Sequence, residues 1–153
     1  MATRNDFKVF QKEATKMLRG LPKMIGKMAL VEASDNFRKQ GHENDSGAFV
    51  PWAPRKTNKP EHGRTRNDGQ RDRRYRVPKG RAILVQSGRL RRSLRIVSST
   101  ASSITIGTDV PYAEPLQEGN QHLPARPFLT AGKSFREKVL RKTAADITKL
   151  LNR

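Results

Sequence analysis

Cysteine is absent from the 153 residues of this chain, and aromatic residues make up only 6% of it. Without cysteine the protein has neither a disulfide framework nor a thiolate metal site. No apolar run approaches the roughly 20 residues that a helix needs to span a bilayer. The first residues also lack the apolar segment of a signal peptide. We therefore expect a protein that is made and folded in a cytoplasm and has no membrane partner.

Acidic residues are few as well. The chain has 14 Asp and Glu against 32 Lys and Arg, which gives a net charge of +18. The excess is concentrated in residues 55–95, where fifteen basic and three acidic residues give +12, while each flank carries +3. A charge of this size indicates an anionic partner, either nucleic acid or an acidic protein surface.

The most basic stretch is residues 56–76, which we call the basic arm. Its one apolar side chain is Tyr75, so it cannot bury enough surface to offset the entropy of ordering, and we expect it to be extended. It is predicted to lie against nucleic-acid phosphates or against a neighbouring protein chain, and charge alone does not separate the two. Six arginines, whose forked side chains suit phosphate geometry, fall within thirteen residues of it: Arg64, Arg66, Arg71, Arg73, Arg74 and Arg76.

Helices are predicted at the N-terminal end. Apolar side chains at three- and four-residue steps indicate one helix over residues 5–19 and a second over 22–39. Pro22 separates them in this prediction, because proline cannot donate the backbone hydrogen bond of a helix interior. Residues 40–55 are predicted to be a loop, which the lone tryptophan, Trp52, anchors on the domain.

Short strands and a last helix are predicted farther along the chain. Residues 81–88 are expected to form one strand, and residues 93–99 and 102–108 a hairpin. Ser134 and Glu137 form a capping-box pattern at the start of a helix that runs to about residue 151. One side of that helix is predicted to be apolar and to consist of Phe135, Val139, Ala144, Ile147, Leu150 and Leu151.

The predicted fold class is therefore α+β, with a small antiparallel sheet packed by N-terminal helices and a C-terminal helix. We expect a single domain over residues 1–153. Its parts are the N-terminal helices (1–41), an extended basic loop or arm (42–80), strands with a proline-rich connector (81–133) and the C-terminal helix (134–151).

The connector strip, residues 110–132, combines four prolines with apolar side chains that are costly to leave in water. A stiff strip of this kind can close its own domain or pack partly against a neighbouring copy, and both alternatives stay open. Arg126 is suited to an ion pair across such a contact. The residues predicted to contact another copy or a partner are Trp52, Tyr112, Leu116, Arg126, Phe128 and Leu129.

Catalytic patterns do not stand out. His42, His62 and His122 lie in polar surroundings and lack the paired spacing of a metal site. Ser87 precedes a glycine but lacks the upstream glycine of a nucleophile elbow. We predict no catalytic residue, no metal site and no cofactor.

Four segments occur in a characteristic order: "PWAPR" at 51–55, "ILVQSGRLRRSL" at 83–94, "SSITIGTDVPYAEPLQEG" at 102–119 and "LPARPFL" at 123–129. In this order they resemble the phage virion morphogenesis family, the Mu-like tail-completion and head–tail joining proteins. The chain departs from the family pattern at Leu116, where histidine is frequent before the glutamine.

The resemblance implies a structural virion protein without enzymatic activity. It implies copies arranged as a homo-oligomeric ring, expected to be a hexamer, at the head–tail junction, after assembly in the host cytoplasm. The implied partners are other phage neck and tail proteins and, through non-specific phosphate contacts of the basic arm, packaged DNA. The alternative is a standalone, non-specific nucleic-acid-binding protein.

Overall fold

The structure is a computed structural model that describes residues 4–54, 82–85 and 87–152. Within these ranges it has four helices and two separate two-stranded antiparallel sheets, which agrees with the predicted α+β class. The elements in chain order are α1 (Arg4–Lys39), β1 (Gly41–Glu43), β2 (Phe49–Pro51), α2 (Arg89–Ser93), β3 (Arg95–Ser99), β4 (Ile104–Gly107), α3 (Ala113–Glu118) and α4 (Lys133–Leu151).

The N-terminal region is one helix, so the prediction of two helices was wrong. α1 continues for 36 residues through Pro22, which is buried. Proline removes one backbone hydrogen bond from a helix interior. Here the helix continues because its apolar face packs against α4, β3 and β4, and packing routinely outweighs local propensity.

The predicted loop over residues 40–55 contains a hairpin, which is a second correction. β1 pairs with β2 in antiparallel register, with His42 opposite Val50. The side chain of Asn44 organises the turn, since its Oδ1 accepts from the backbone N–H groups of Ser46 and Ala48 at 3.1 and 2.9 Å. Such a side-chain turn can close a hairpin in a polar segment that shows no strand alternation.

The second hairpin was predicted correctly. β3 pairs with β4 antiparallel, and Ile96 lies opposite Ile106. The strand predicted over residues 81–88 is absent from its described residues: a turn includes Leu84, whose φ is 62°. This short segment instead packs against the core through Ile83, Leu84 and Val85, without a neighbouring strand. A short apolar run in the sequence does not by itself show whether the segment will pair as a strand or pack as a turn.

The last helix runs to Leu151, as expected, but its apolar side chains divide between two faces. The less exposed residues of the helix recur at steps of four and three and form one face. The second, exposed face carries Leu140, Ala144, Ile147 and Leu151. The residues toward α1 are Phe135, Val139, Thr143, Asp146 and Leu150.

The hydrophobic core lies at the C-terminal end of α1. It is built from Phe37 of α1, Trp52 after β2 and side chains from the second half of the chain. Its buried members are Phe37, Trp52, Leu90, Val110, Ala113 and Phe128.

Candidate assembly interface

The connector strip is held by side chains and pairs with no strand in the described residues. Trp52 donates from Nε1 to the carbonyl of Pro127 at 2.9 Å. Asn36, which is buried on α1, donates from Nδ2 to the carbonyl of Phe128 at 3.2 Å. Two elements that are far away in the sequence therefore fix the backbone of the strip.

Gln117 on α3 completes this attachment. Its Oε1 accepts from the backbone N–H groups of Phe128 and Leu129 at 3.0 and 3.1 Å, and its Nε2 donates to the carbonyl of Leu129 at 2.9 Å. The amide thus makes the bonds that a neighbouring strand would make. Three successive carbonyls of the strip each have a side-chain donor.

Phe128 is the aromatic residue of the strip that belongs to the core. Phe128 is 2% exposed, and its ring centroid lies 5.5 Å from that of Phe37. Phe37 also meets Trp52 edge to face at 5.6 Å. Aromatic pairs at these distances add to the stabilisation that their burial provides. This end of the strip therefore closes its own domain.

Arg126 connects the strip to the beginning of the basic region. It is 5% exposed, and its Nε donates to the carbonyl of Ala53 at 3.0 Å. Its Nη2 donates to the carbonyl of Pro54 at 3.4 Å. The guanidinium therefore fastens the chain just before residues 55–81. An ion pair of Arg126 with another copy stays a prediction.

The six residues predicted to contact a partner differ in what they expose. Trp52, Arg126 and Phe128 are buried in this chain, and Leu116 and Leu129 are half-buried against the core. Tyr112, at the beginning of α3, is the exposed member, at 42%. Their contact with another molecule stays a prediction for all six.

The basic arm, with Arg64, Arg66, Arg71, Arg73, Arg74 and Arg76, lies outside the described residues. The described residues on either side of the segment 55–81 are held at one place. Gln40 accepts from the backbone N–H of Trp52 through its carbonyl at 2.8 Å, and from the N–H of Ile83 through its side-chain Oε1. The chain therefore leaves and rejoins the domain beside the end of α1.

A second basic group lies on α2 and β3. Arg89, Arg91 and Arg92 are exposed around Leu90, which is 1% exposed. Arg95 lies 3.6 Å from Asp109 with both side chains largely exposed, so the pair contributes little to stability.

No group of three or more potential metal ligands comes together among the described residues. His42 lies in β1 and His122 is exposed in the strip, while His62 lies outside the described residues. Within the same ranges, none of the helices is long and apolar enough to cross a membrane.

The carboxylate of Glu43 has a structural role. The side-chain and backbone hydrogen bonds from Ser134 lower its pKa from the ordinary value of 4.5. Ser134 donates its N–H to Oε1 at 2.7 Å and its hydroxyl to Oε2. The predicted capping box of Ser134 with Glu137 was therefore wrong, because Glu43 from β1 satisfies the first turn of α4.

Four residues that organise the site were missed from the sequence: Asn36, Gln40, Glu43 and Gln117. Gln117 lies in the segment 102–119 that carries part of the family resemblance, but the sequence assigned no role to its side chain. Asn36 left a signal, since it is polar and lies one helical turn after the buried Ala33, on the face that packs. A polar side chain on a buried face usually has a specific hydrogen-bond partner.

The sequence model of the phage virion morphogenesis family matches residues 7–147. No curated protein and no solved structure matches the chain. The family match spans α1, the strip and most of α4, so the resemblance seen in the four ordered segments is confirmed. The chain belongs to the phage virion morphogenesis family.

Proposed function

We propose that this protein is a ring subunit at the neck of a tailed-phage virion and acts in tail completion and head–tail joining. The observation that carries the proposal is the family match over residues 7–147. Membership gives a structural role in phage virion morphogenesis. The neck position, the ring and the joining step are the proposal.

Exposed apolar side chains support a role in assembly. One face of α4 exposes Leu140, Ile147 and Leu151, at 68%, 41% and 65%. Of the aromatic residues of the strip, Phe128 is buried in the chain's own core, whereas Tyr112 is 42% exposed. Apolar surface of this kind favours contact with further subunits. A ring needs two different faces on each copy, because rings close by heterologous contacts.

The basic arm is proposed to lie against phosphates of the DNA that passes through the ring, or against an adjacent subunit. Its six arginines suit either partner, since the guanidinium fork binds phosphate and carboxylate alike. The described residues on either side of the arm are held by the domain, Ala53 through Arg126 and Ile83 through Gln40.

Deletion of residues 56–76 tests the arm. We expect the purified variant to keep its circular dichroism spectrum and melting temperature, because the core and the attachments of the strip lie outside the deletion. Phage carrying the variant should accumulate separate heads and tails in electron micrographs. Infectious particles at the parental titre would refute the arm's role.

Two matched variants separate the charge of the arm from the forked shape of its arginines. Replacing its six arginines by lysine keeps the charge, whereas replacing them by glutamine removes it. Function that is kept with lysine and lost with glutamine would show that positive charge suffices, as it does for non-specific binding to DNA phosphates. Loss with both variants would show that the guanidinium fork itself is needed, on phosphate or on carboxylate.

The net charge of +18 favours a second candidate, a standalone non-specific nucleic-acid-binding protein. Such a protein would bind duplex DNA tightly as an isolated monomer or dimer, with affinity that falls steeply as salt rises. A neck protein should bind weakly in isolation and be present in purified virions. Absence from purified virions, together with tight binding, would favour the second candidate.

A further inference from the structure

A groove crosses the surface between the middle of α1 and α4. It has a volume of about 510 Å³ and is lined by Gly20, Lys23, Met24, Lys27, Met28 and Lys142. Gly20 leaves it open, because no atom lies within 4 Å of where a Cβ would stand. Glycine in a helix interior costs about 0.5–1 kcal/mol relative to alanine. Met24 and Met28 give the groove an apolar lining, and their flexible side chains can adapt to an inserted apolar side chain.

The rim of the groove carries unpaired positive charge. Lys23 and Lys27 are exposed one helical turn apart, and neither lies within ion-pair distance of a carboxylate in the described residues. Lys142 on the opposite wall bonds Asp146 at 2.9 Å. Like charges at this spacing repel each other on an isolated helix. The rim is therefore complementary to an acidic partner.

An acidic helical turn with the same spacing occurs on this chain. Glu114 and Glu118 of α3 are exposed, and neither forms an ion pair among the described residues. Tyr112 precedes them and is exposed at 42%, while Ala113 faces the core and Gln117 holds the strip. α3 thus presents an aromatic side chain beside two carboxylates on its outer face.

We propose that the groove of one copy receives Tyr112 and the acidic face of α3 from an adjacent copy. The ring of Tyr112 rests on Met24 and Met28, and Glu114 and Glu118 face Lys23 and Lys27. The proposal rests on the proposed ring and names its two faces. Tyrosine and methionine are enriched where protein interfaces are buried.

The chain cannot fill its own groove in this way. α3 is attached at the core beside Phe37, through Ala113 and Leu116. Phe37 follows Met28 by 9 residues and Gly20 by 17, which is about 14 Å and about 26 Å along the axis of α1. A contact between two different surfaces of one molecule is heterologous, and repetition of it generates a closed ring or a filament.

Cross-linking in purified particles tests the pairing, and the natural absence of cysteine gives a clean background. Phage that carry both Tyr112→Cys and Met24→Cys are purified and treated with a short bis-maleimide. We expect a ladder of linked copies of this chain. The control pairs Tyr112→Cys with Lys12→Cys, which is exposed on α1 about 18 Å from Met24, and should give monomers.

The other outcomes are also informative. Particles that contain the chain but show no ladder overturn the pairing and leave the neck proposal standing. Linkage of Met24→Cys to a different virion protein also overturns it, because the groove then has another occupant. Parental particles that lack the chain overturn the neck proposal and the pairing together.

Charge reversal gives an independent test. Lys23→Glu with Lys27→Glu, or Glu114→Lys with Glu118→Lys, should each reduce complete particles by at least about tenfold, since like charges then meet at the interface. The fourfold variant should recover most of the titre. Lys8→Glu with Lys12→Glu on α1 is the matched control and should leave the titre unchanged. Loss of titre without recovery in the fourfold variant would contradict the pairing.

Discussion

Single polar side chains organise the connector strip, and Gln117 shows how. Its amide makes three hydrogen bonds to Phe128 and Leu129, two as acceptor and one as donor. A sequence pattern places glutamine on α3 but cannot assign these partners, since they lie 11 and 12 residues away across a turn. The turn requires Gly119, whose φ is 81° and whose added Cβ would meet Ala125 N at 2.7 Å.

Gln117→Glu should destabilise the folded protein by about 1–3 kcal/mol, because a carboxylate cannot donate to the carbonyl of Leu129 and leaves that acceptor unpaired. Urea unfolding at neutral pH measures the change. Gln121→Glu makes the same substitution at an exposed position of the strip and should change stability little. Equal effects of the two variants would contradict the role of Gln117.

Two glycines of α1 should respond oppositely to alanine. Gly20→Ala is expected to stabilise the protein by about 0.5–1 kcal/mol, because its Cβ enters open space. Gly26→Ala gains the same helix propensity, but its Cβ would lie 3.0 Å from Cγ1 of Ile104 and 3.2 Å from Cδ1 of Ile96. Such overpacking costs about 1–3 kcal/mol, so a net loss is expected.

Thermal unfolding of the two purified variants beside the parent protein provides the measurement. Stabilisation by Gly26→Ala would mean that β3 and β4 do not approach α1 as closely as the structure has them.

At the scale of the elements, β1 caps the last helix. Glu43 accepts both donors of Ser134, and Gly132 allows the approach, since an added Cβ there would lie 2.8 Å from the carbonyl oxygen of Glu43. The two residues that make this cap are 91 positions apart in the chain. A capping box is a local pattern, and for this reason the sequence pointed to Glu137 and not to Glu43.

The cap should be sensitive to pH. Because the pKa of Glu43 is lowered below 4.5 in the folded state, its contribution is complete above that value and is lost as the pH falls through the folded-state pKa. Glu43→Gln should therefore be less stable than the parent at pH 7, and the difference should shrink as the pH falls through the lowered pKa of Glu43.

Glu137→Gln is the matched control for this prediction. It removes the carboxylate of the capping-box pattern and is expected to leave stability nearly unchanged at either pH. If Glu137→Gln lowered the stability at pH 7 and Glu43→Gln did not, the capping box of Ser134 with Glu137 would be correct after all.

The sequence was informative about elements with a local signal and silent about contacts between distant ones. The hairpin of β3 and β4 and the course of α4 followed from periodicity. The predicted break at Pro22 was wrong because α1 packs against α4, β3 and β4. The strand predicted at 81–88 was wrong because its described residues pack against the core. For the strip, the buried apolar residues could be predicted, but the donors Trp52 and Asn36 could not, since they act across 75 and 92 residues.

At the scale of the whole molecule, the net charge of +18 opposes compaction through self-repulsion. The Debye length falls from about 30 Å at 0.01 M salt to about 3 Å at 1 M, so sodium chloride should screen this repulsion. We expect the melting temperature to rise by several degrees over that range. Calorimetry measures it, and a falling melting temperature would mean that attractive pairs such as Glu32 with Lys138 outweigh the repulsion.

Gln40 sets a limit on everything the basic region can touch. Because that one residue bonds both Trp52 and Ile83, the described residues that flank the 27-residue segment 55–81 lie beside each other. A fully extended chain covers about 3.3–3.6 Å per residue, so the covalent length of the segment alone keeps its arginines within about 50 Å of Gln40. A partner beyond that radius is out of reach, and a proteolytic cut within the segment would leave both of its fragments covalently joined to the domain.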